Sequence, residues 1–270
     1  MTDRIASLGM YDRPELHAAN DALLTAIAAH LVDAGIERVP AKLDRSRSLA
    51  EIWDDPDLLL AQCCGYPLVT AWQGRLRYVA TPRYRAPGCE DSDHRSRIVI
   101  GRDDPATSLS DFRGRRAAIN ERTSNTGMNL LRAAIAPLAA GQPFFGAVME
   151  TGSHAASARL IAGGDADIAA IDTVSFAHIE HSEPDVTGRL RTLGWTPAVP
   201  GLPLVTSQTT TTRQIAALRN ALRHIAEEAV LADARSALLL DGIDVLKRSR
   251  YDVITTLETK AIRAGYPLLA

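Results

Sequence analysis

Between about residues 102 and 200, strand-length apolar runs alternate with amphipathic ones, and this alternation constrains the fold more than anything else in the chain. "GRRAAIN", "FFGAVMETG", "ADIAAID" and "GRLRTLGW" have the length and apolar content of strands. Between them, the run opened by Ser124-Asn125-Thr126-Gly127 and continuing to about Ala140, and "SHAASARLIAGG", have helical spacing; the second is closed by Gly163-Gly164. A βαβαβα succession of this kind predicts an α/β protein with mostly parallel sheets and flanking helices. Pro105 on one side and Pro197, Pro200 and Pro203 on the other bracket the run and read as chain crossings. The expectation is therefore two lobes joined by two hinge crossings: residues 102–203 inserted as the second lobe, and residues 1–101 with 204–270 forming the first.

The outer segments read in the same alternating way. "RIASLGMY" is a short strand, and "DRPELHAANDALLTAIAAHLVDAG" is a helix with Asp12 at its N-cap, Pro14 in the first turn and Gly35 as its stop. Leu16, Leu23, Ile27 and Leu31 mark its buried face. "DLLLAQCCGYPLVT" is a buried strand ended by a turn, and "RLRYVATPRY", "SRIVIGR" and "GLPLVTS" are further strands. The tail holds three helices, "TTRQIAALRNALRHIAEEAVLA", "ARSALLLDGI" and "YDVITTLETKAIRAG", whose apolar spacing (Ile215, Leu218, Leu222, Ile225) reads as packing on the first lobe.

Charge and composition exclude several function classes. With 30 basic and 32 acidic residues the net charge is −2, which gives no electrostatic case for a nucleic-acid partner. Arg75, Arg77, Arg83, Arg85, Arg95 and Arg97 alternate along strands and read as one solvated sheet face. Cys63, Cys64 and Cys89 are odd in number and two are adjacent, so no disulfide framework is implied. His178 and His181 in "HIEH" lack a third ligand, so neither a metal nor another cofactor is expected. No run approaches the ~20 apolar residues of a membrane span, and the first residues lack the basic and apolar regions of a signal peptide. The chain is thus expected in the cytoplasm as it stands, without membrane insertion, or in the periplasm if its true start lies upstream.

The chemistry-bearing feature is a pair of helix starts. Ser124-Asn125-Thr126-Gly127 and Gly152-Ser153-His154 each place small polar residues before an amphipathic run. A helix N-terminus leaves backbone N–H groups without intrahelical partners and carries partial positive charge, so two such ends facing one space make an anion site that needs no lysine. In open α/β sheets ligands sit beyond the carboxyl ends of the strands, which is where both starts fall. The same residue types are also ordinary N-caps. Asp172 ends "DIAAID" at another strand's carboxyl end, placed either to accept a hydrogen bond from a protonated oxygen or amine or to cap the helix "TVSFAHIE".

At these residues the chain resembles a known family. "SLSDFRGRRAAIN", "SNTGMNLL", "ETGSHAASARLIAGGDADIAAID" and "GLPLVTS" are similar to the PhnD-like phosphate, phosphite and phosphonate substrate-binding proteins of ABC transporters, which have the type II periplasmic-binding-protein fold. The likeness is dense from about Leu109 to Ser207. It implies capture of a small anionic ligand in a cleft between two lobes, with closure by hinge motion, no chemistry, no cofactor, and an ABC-transporter permease as partner. By the same resemblance Ser124, Asn125, Thr126, Gly127, Ser153 and His154 hold the oxyanion, Asp172 meets a protonated oxygen or an amine, and Tyr11, Gln62 and Tyr66 contribute from the first lobe. Two other readings stand beside it: a cytoplasmic sensor derived from such a binding protein, and a cytoplasmic enzyme on this scaffold acting on a small anionic metabolite, with Asp172, His154 or Cys64 as acid, base or nucleophile.

Overall fold

The computed structural model describes residues 3–270, which divide into two compact units. The first comprises the described chain up to Arg85 together with Pro200–Arg250, and the second Ala86–Val199 together with Tyr251–Ala270. The chain therefore crosses three times, at 85/86, 199/200 and 250/251, where two crossings near 102 and 204 were expected. The reason for the first shift is pairing: the strand Ser96–Gly101 lies between Ile168–Asp172 and Leu190–Trp195 in the second unit's sheet.

The first unit has a five-stranded sheet in the order Ile5–Ser7, Leu58–Gln62, Leu204–Ser207, Leu76–Tyr84, Leu240–Asp244. The first two strands are parallel. Leu204–Ser207 runs antiparallel to both its neighbours, and Leu240–Asp244 runs antiparallel to Leu76–Tyr84. The second unit also has five strands, ordered Ala147–Glu150, Arg116–Ile119, Ile168–Asp172, Ser96–Gly101, Leu190–Trp195. Its first three are parallel, and Ser96–Gly101 is antiparallel to both its neighbours. Both sheets are thus mixed, where mostly parallel ones were expected. In each, an interior antiparallel strand, Leu204–Ser207 or Ser96–Gly101, is the one that follows a chain crossing, so it enters its sheet without a local βαβ connection to set its direction.

Leu240–Asp244 is a strand in a segment whose leucines read as helical. The helix Ala232–Ala237 ends, Leu239 takes a left-handed φ of 56°, and the chain turns into the sheet edge. The first long helix also differs in its start. Pro14–Leu16 form a 3-10 turn ahead of the helix His17–Asp33, and Asp12 is not its cap. The Asp12 carboxylate instead accepts from Asn20 Nδ2 at 2.9 Å and Arg45 Nε at 2.6 Å. Leu16, Leu23, Ile27 and Leu31 are buried as their spacing requires, and they join Leu218, Leu222 and Ile225 of the helix Thr212–Glu227 in the first unit's core. Gly35 ends the helix with φ +71°.

The last helix, Asp252–Arg263, belongs to the second unit and not the first. Buried Asn129 donates to Ile254 O at 3.3 Å. Buried Arg132 donates to Glu258 Oε1 at 3.1 Å and to Pro267 O at 2.8 Å. An apolar stripe states that a helix packs; it does not state on what. The second unit's main core gathers Val99, Ala118, Ile161, Ile171 and Ile179 from its sheet and helices.

Gly146 shows how closely the second unit's backbone is set. A Cβ there would stand 2.3 Å from Gly114 O, a backbone atom with no rotamer to adopt. Gly146→Ala is expected to lower unfolding stability by about 2–3 kcal/mol through this overlap. Urea denaturation checks it, and an unchanged midpoint would contradict the packing described.

Candidate functional site

Three parallel strands of the second unit, Arg116–Ile119, Ala147–Glu150 and Ile168–Asp172, end on one sheet edge. Each carboxyl end leads into polar residues: Asn120, then Ser124 to Gly127; Thr151 to His154; and Asp172 itself. An apolar strand ending in a polar residue beside a helix start is the arrangement that places side chains and amide groups together at a ligand site.

Ser124 caps its helix by accepting from Gly127 N at 3.0 Å. The first turn, Asn125–Asn129, is a π-helical turn, in which Asn129 N donates to Ser124 O at 3.0 Å before the α-helix Leu130–Ala139 begins. Such widened turns recur at functional sites because they displace side chains from regular α register. Asn125, Thr126 and Gly127 are all buried. Asn125 Oδ1 accepts from Asn129 Nδ2 at 3.0 Å, and Thr126 O accepts from Ser96 Oγ at 2.9 Å. Gly127 has a packing reason to be glycine. A Cβ there would lie 1.9 Å from Asn120 Oδ1 and 3.2 Å from His154 Cε1.

The second start meets the first. Ser153 is exposed and caps the helix His154–Gly163 by accepting from Ala156 N at 3.1 Å. His154 Nε2 stands 3.1 Å from Thr126 Oγ1, so the two helix beginnings are joined side chain to side chain. Burial lowers the His154 pKa from its ordinary 6.5 to about 4, against the opposing pull of the Asp172 charge. The ring is therefore neutral at pH 7. Where Nε2 accepts from the Thr126 hydroxyl, Nδ1 carries the hydrogen, and among the described residues Nδ1 has no hydrogen-bond partner.

Asp172 is 1% exposed and caps the helix Thr173–Ser182, its Oδ1 accepting from Ser175 N at 2.9 Å. Its other oxygen stands 3.1 Å from Nδ1 of buried His94. Burial pushes the Asp172 pKa up, but His94, His154 and the Ser175 amide together outweigh it and hold the group at about 2. The capping role expected of Asp172 is thus present, and its negative charge faces an imidazole inside the unit. Burial, reinforced by that charge, pushes the Cys89 thiol up to about 12. Burial also raises the Cys63 thiol well above its ordinary value, so neither supplies a thiolate near pH 7.

In the first unit Tyr11 and Gln62 stand together. Tyr11 packs edge-on against Tyr84, ring centroids 5.3 Å apart, and Gln62 Nε2 donates to the Tyr84 hydroxyl at 2.9 Å. Tyr66 is half-buried in the short helix Gly65–Val69, its carbonyl accepting from Thr70 Oγ1 at 2.7 Å. The arginines read as a sheet face engage carboxylates in part: Arg75 with Asp54, Arg83 with Asp244, Arg85 with Asp241.

Four residues of these clusters were not anticipated. Asn120 carries the same signal as Asp172, a polar residue closing an apolar strand, and was legible by that rule. Tyr84 likewise closes a strand. Ser96 and His94 lie in "DSDHRSR", which reads as a solvated charged run and holds no sign that both are buried.

Solved structures similar to this chain include binding proteins of ABC transporters. A binding-protein component of an ABC phosphonate transporter from Pseudomonas aeruginosa superposes with a TM-score of 0.75 at 15% identity, over 97% of this chain and 88% of that one. PhnD1 from Prochlorococcus marinus in complex with methylphosphonate gives 0.72 at 13% identity, over 97% and 98%. A Xanthomonas citri protein bound to ATP gives 0.72 at 16%, again over 97% and 98%. These likenesses show the fold, that of the periplasmic binding proteins. No curated protein matches the sequence. The family described as "ABC transporter, phosphonate, periplasmic substrate-binding protein" matches residues 10–253, and the chain belongs to it. Among the described residues no helix is long and apolar enough to cross a membrane.

Proposed function

We propose that the second unit binds a small phosphorus oxyanion, a phosphonate foremost, through the helix beginnings at Ser124–Gly127 and Ser153–His154. The observation that carries this reading is the 3.1 Å contact between Thr126 Oγ1 and His154 Nε2, which brings both helix starts to one place. There the first-turn amides and two partial positive ends favour negative oxygen. Neutral His154 serves as a donor through Nδ1. Asp172 is buried, with Oδ1 occupied by the Ser175 amide and its other oxygen 3.1 Å from His94 Nδ1, so both oxygens are engaged within the unit rather than turned toward the anion. The methylphosphonate held by the Prochlorococcus marinus relative supports the choice of ligand class. As the substrate-binding component of an ABC transporter, the chain passes its ligand to a permease.

Calorimetric titration with methylphosphonate, phosphite, phosphate and acetate tests the reading. At least one phosphorus oxyanion is expected to bind more tightly than acetate, to raise the melting midpoint and to be recovered unchanged. At a ligand concentration of about 100 Kd the stabilisation is about 2.7 kcal/mol. Absence of heat and of any midpoint shift with all three phosphorus oxyanions overturns the assignment.

A further inference from the structure

The two helix starts carry no formal positive charge of their own. Residues 124–129 and 153–157 contain no lysine or arginine, and the buried Asp172 carboxylate acts on His154 through its charge. An anion brought to these starts therefore adds to a negative charge already present, and a proton on the imidazole is the nearest counter-charge. His154 can take that proton in place. Its Nε2 is 3.1 Å from Thr126 Oγ1, and a hydroxyl can donate or accept. With the ring neutral and Nδ1 carrying the hydrogen, the Thr126 hydroxyl donates to Nε2. With the ring protonated, Nε2 donates to the same oxygen. The exchange turns one O–H bond and moves no heavier atom, while the Thr126 carbonyl stays held by buried Ser96 Oγ at 2.9 Å.

The neighbours of the ring set its response. Burial holds the His154 pKa down at about 4; Asp172, ending the strand Ile168–Asp172, pulls it up, and His94, in the strand Asp93–His94, pushes it down. Asn120, packed at Gly127 beside the ring, is uncharged, and Cys89 stands against Asp172 as a neutral thiol. We propose that oxyanion capture in the second unit is coupled to uptake of a proton from solvent by His154, so that the site binds more tightly as the solution becomes acidic. The inference rests on the oxyanion reading and adds its regulation. At pH 7 the free ring is neutral, and amides and helix ends hold the ligand. Below pH 7 the bound anion, acting with Asp172, stabilises the imidazolium. If binding returns His154 to its ordinary 6.5, a singly charged ligand gains about 20-fold in affinity between pH 7 and pH 5.

Calorimetry with methylphosphonate at about pH 5.5, in two buffers of different ionisation enthalpy, counts the protons taken up. At that pH the ligand keeps one charge on and off the protein, so the count belongs to the protein. Roughly 0.9 proton per ligand is expected in the native protein, and close to none in His154→Gln. Should that variant bind too weakly to titrate, the His154 ring-proton resonance of the native protein is followed from pH 7 to pH 5. It is expected to stay at its neutral position in the free protein and to titrate near the ordinary 6.5 when methylphosphonate saturates the site. Native binding whose heat is the same in both buffers overturns the coupling and leaves the oxyanion reading standing. Equal uptake in His154→Gln, or a ring resonance that titrates alike with and without ligand, also overturns it. If no phosphorus oxyanion binds at any pH, the oxyanion reading falls and takes this proposal with it.

Discussion

Thr126→Ala is expected to weaken methylphosphonate binding by about 10- to 100-fold, the range for losing one hydrogen bond to a charged group. The effect has two parts. The hydroxyl is lost as a polar group at the first helix start, and His154 Nε2 loses the partner 3.1 Å away that holds its ring. His154→Ala is expected to cost a similar factor. Because both residues act through one contact, the double variant should lose less than the product of the two single losses. Thr126→Val keeps the shape without the hydroxyl and should behave as Thr126→Ala does. His154→Gln retains an amide donor and should recover part of the affinity. The checks are calorimetric titrations, with melting curves showing each variant folded. Native affinity in both alanine variants would place the ligand elsewhere.

Acidification is expected to destabilise the protein in two stages that trace to two named groups. His154 has a folded pKa of about 4 against an ordinary 6.5, so the unfolded chain binds its proton first. Its contribution is complete above pH 6.5 and is lost as pH falls from there to about 4. Asp172 is also depressed, to about 2 from 3.8, but as an acid: its contribution is present above pH 3.8 and is lost as pH falls through 2. At about 1.4 kcal/mol per pKa unit, Asp172 accounts for about 2 kcal/mol, and partly exposed His154 for a similar amount after solvent screening. His154→Gln should flatten the dependence between pH 6.5 and 4. Asp172→Asn, which keeps a capping oxygen, should be about 2 kcal/mol less stable at pH 7, with the deficit closing toward pH 2. Urea midpoints against pH give the profile. An unaltered slope between pH 4 and 6.5 in His154→Gln would remove the histidine from this account.

The two-stage profile also bears on how the site works. With His154 neutral and Asp172 ionised, neither group brings positive charge to the proposed site, so the affinity proposed for it rests on oriented dipoles and donors. The Ser175 amide and His94, 3.1 Å away, both face the buried Asp172 carboxylate, which engages it within the unit and away from the proposed anion site. Asp172 also caps the helix Thr173–Ser182 at the second unit's sheet edge, so its substitution alters stability as well as the proposed site.

Much of this was written in local patterns. Alternating apolar and amphipathic runs determined the α/β class, and the small polar residues before Asn129 and Ala155 determined both helix starts, since capping chemistry depends on a few consecutive side chains. Asp172 as a strand-ending cap was legible for the same reason. The tertiary structure alone decided which way the strands after each crossing run, and that Asp252–Arg263 packs with the second unit through Asn129 and Arg132. It alone buried His94 beside Asp172 and brought Thr126 against His154. Those outcomes join residues 28 to 126 positions apart in the chain. Local propensity acts over a few residues, whereas such contacts form only when whole elements compete for the same buried surface.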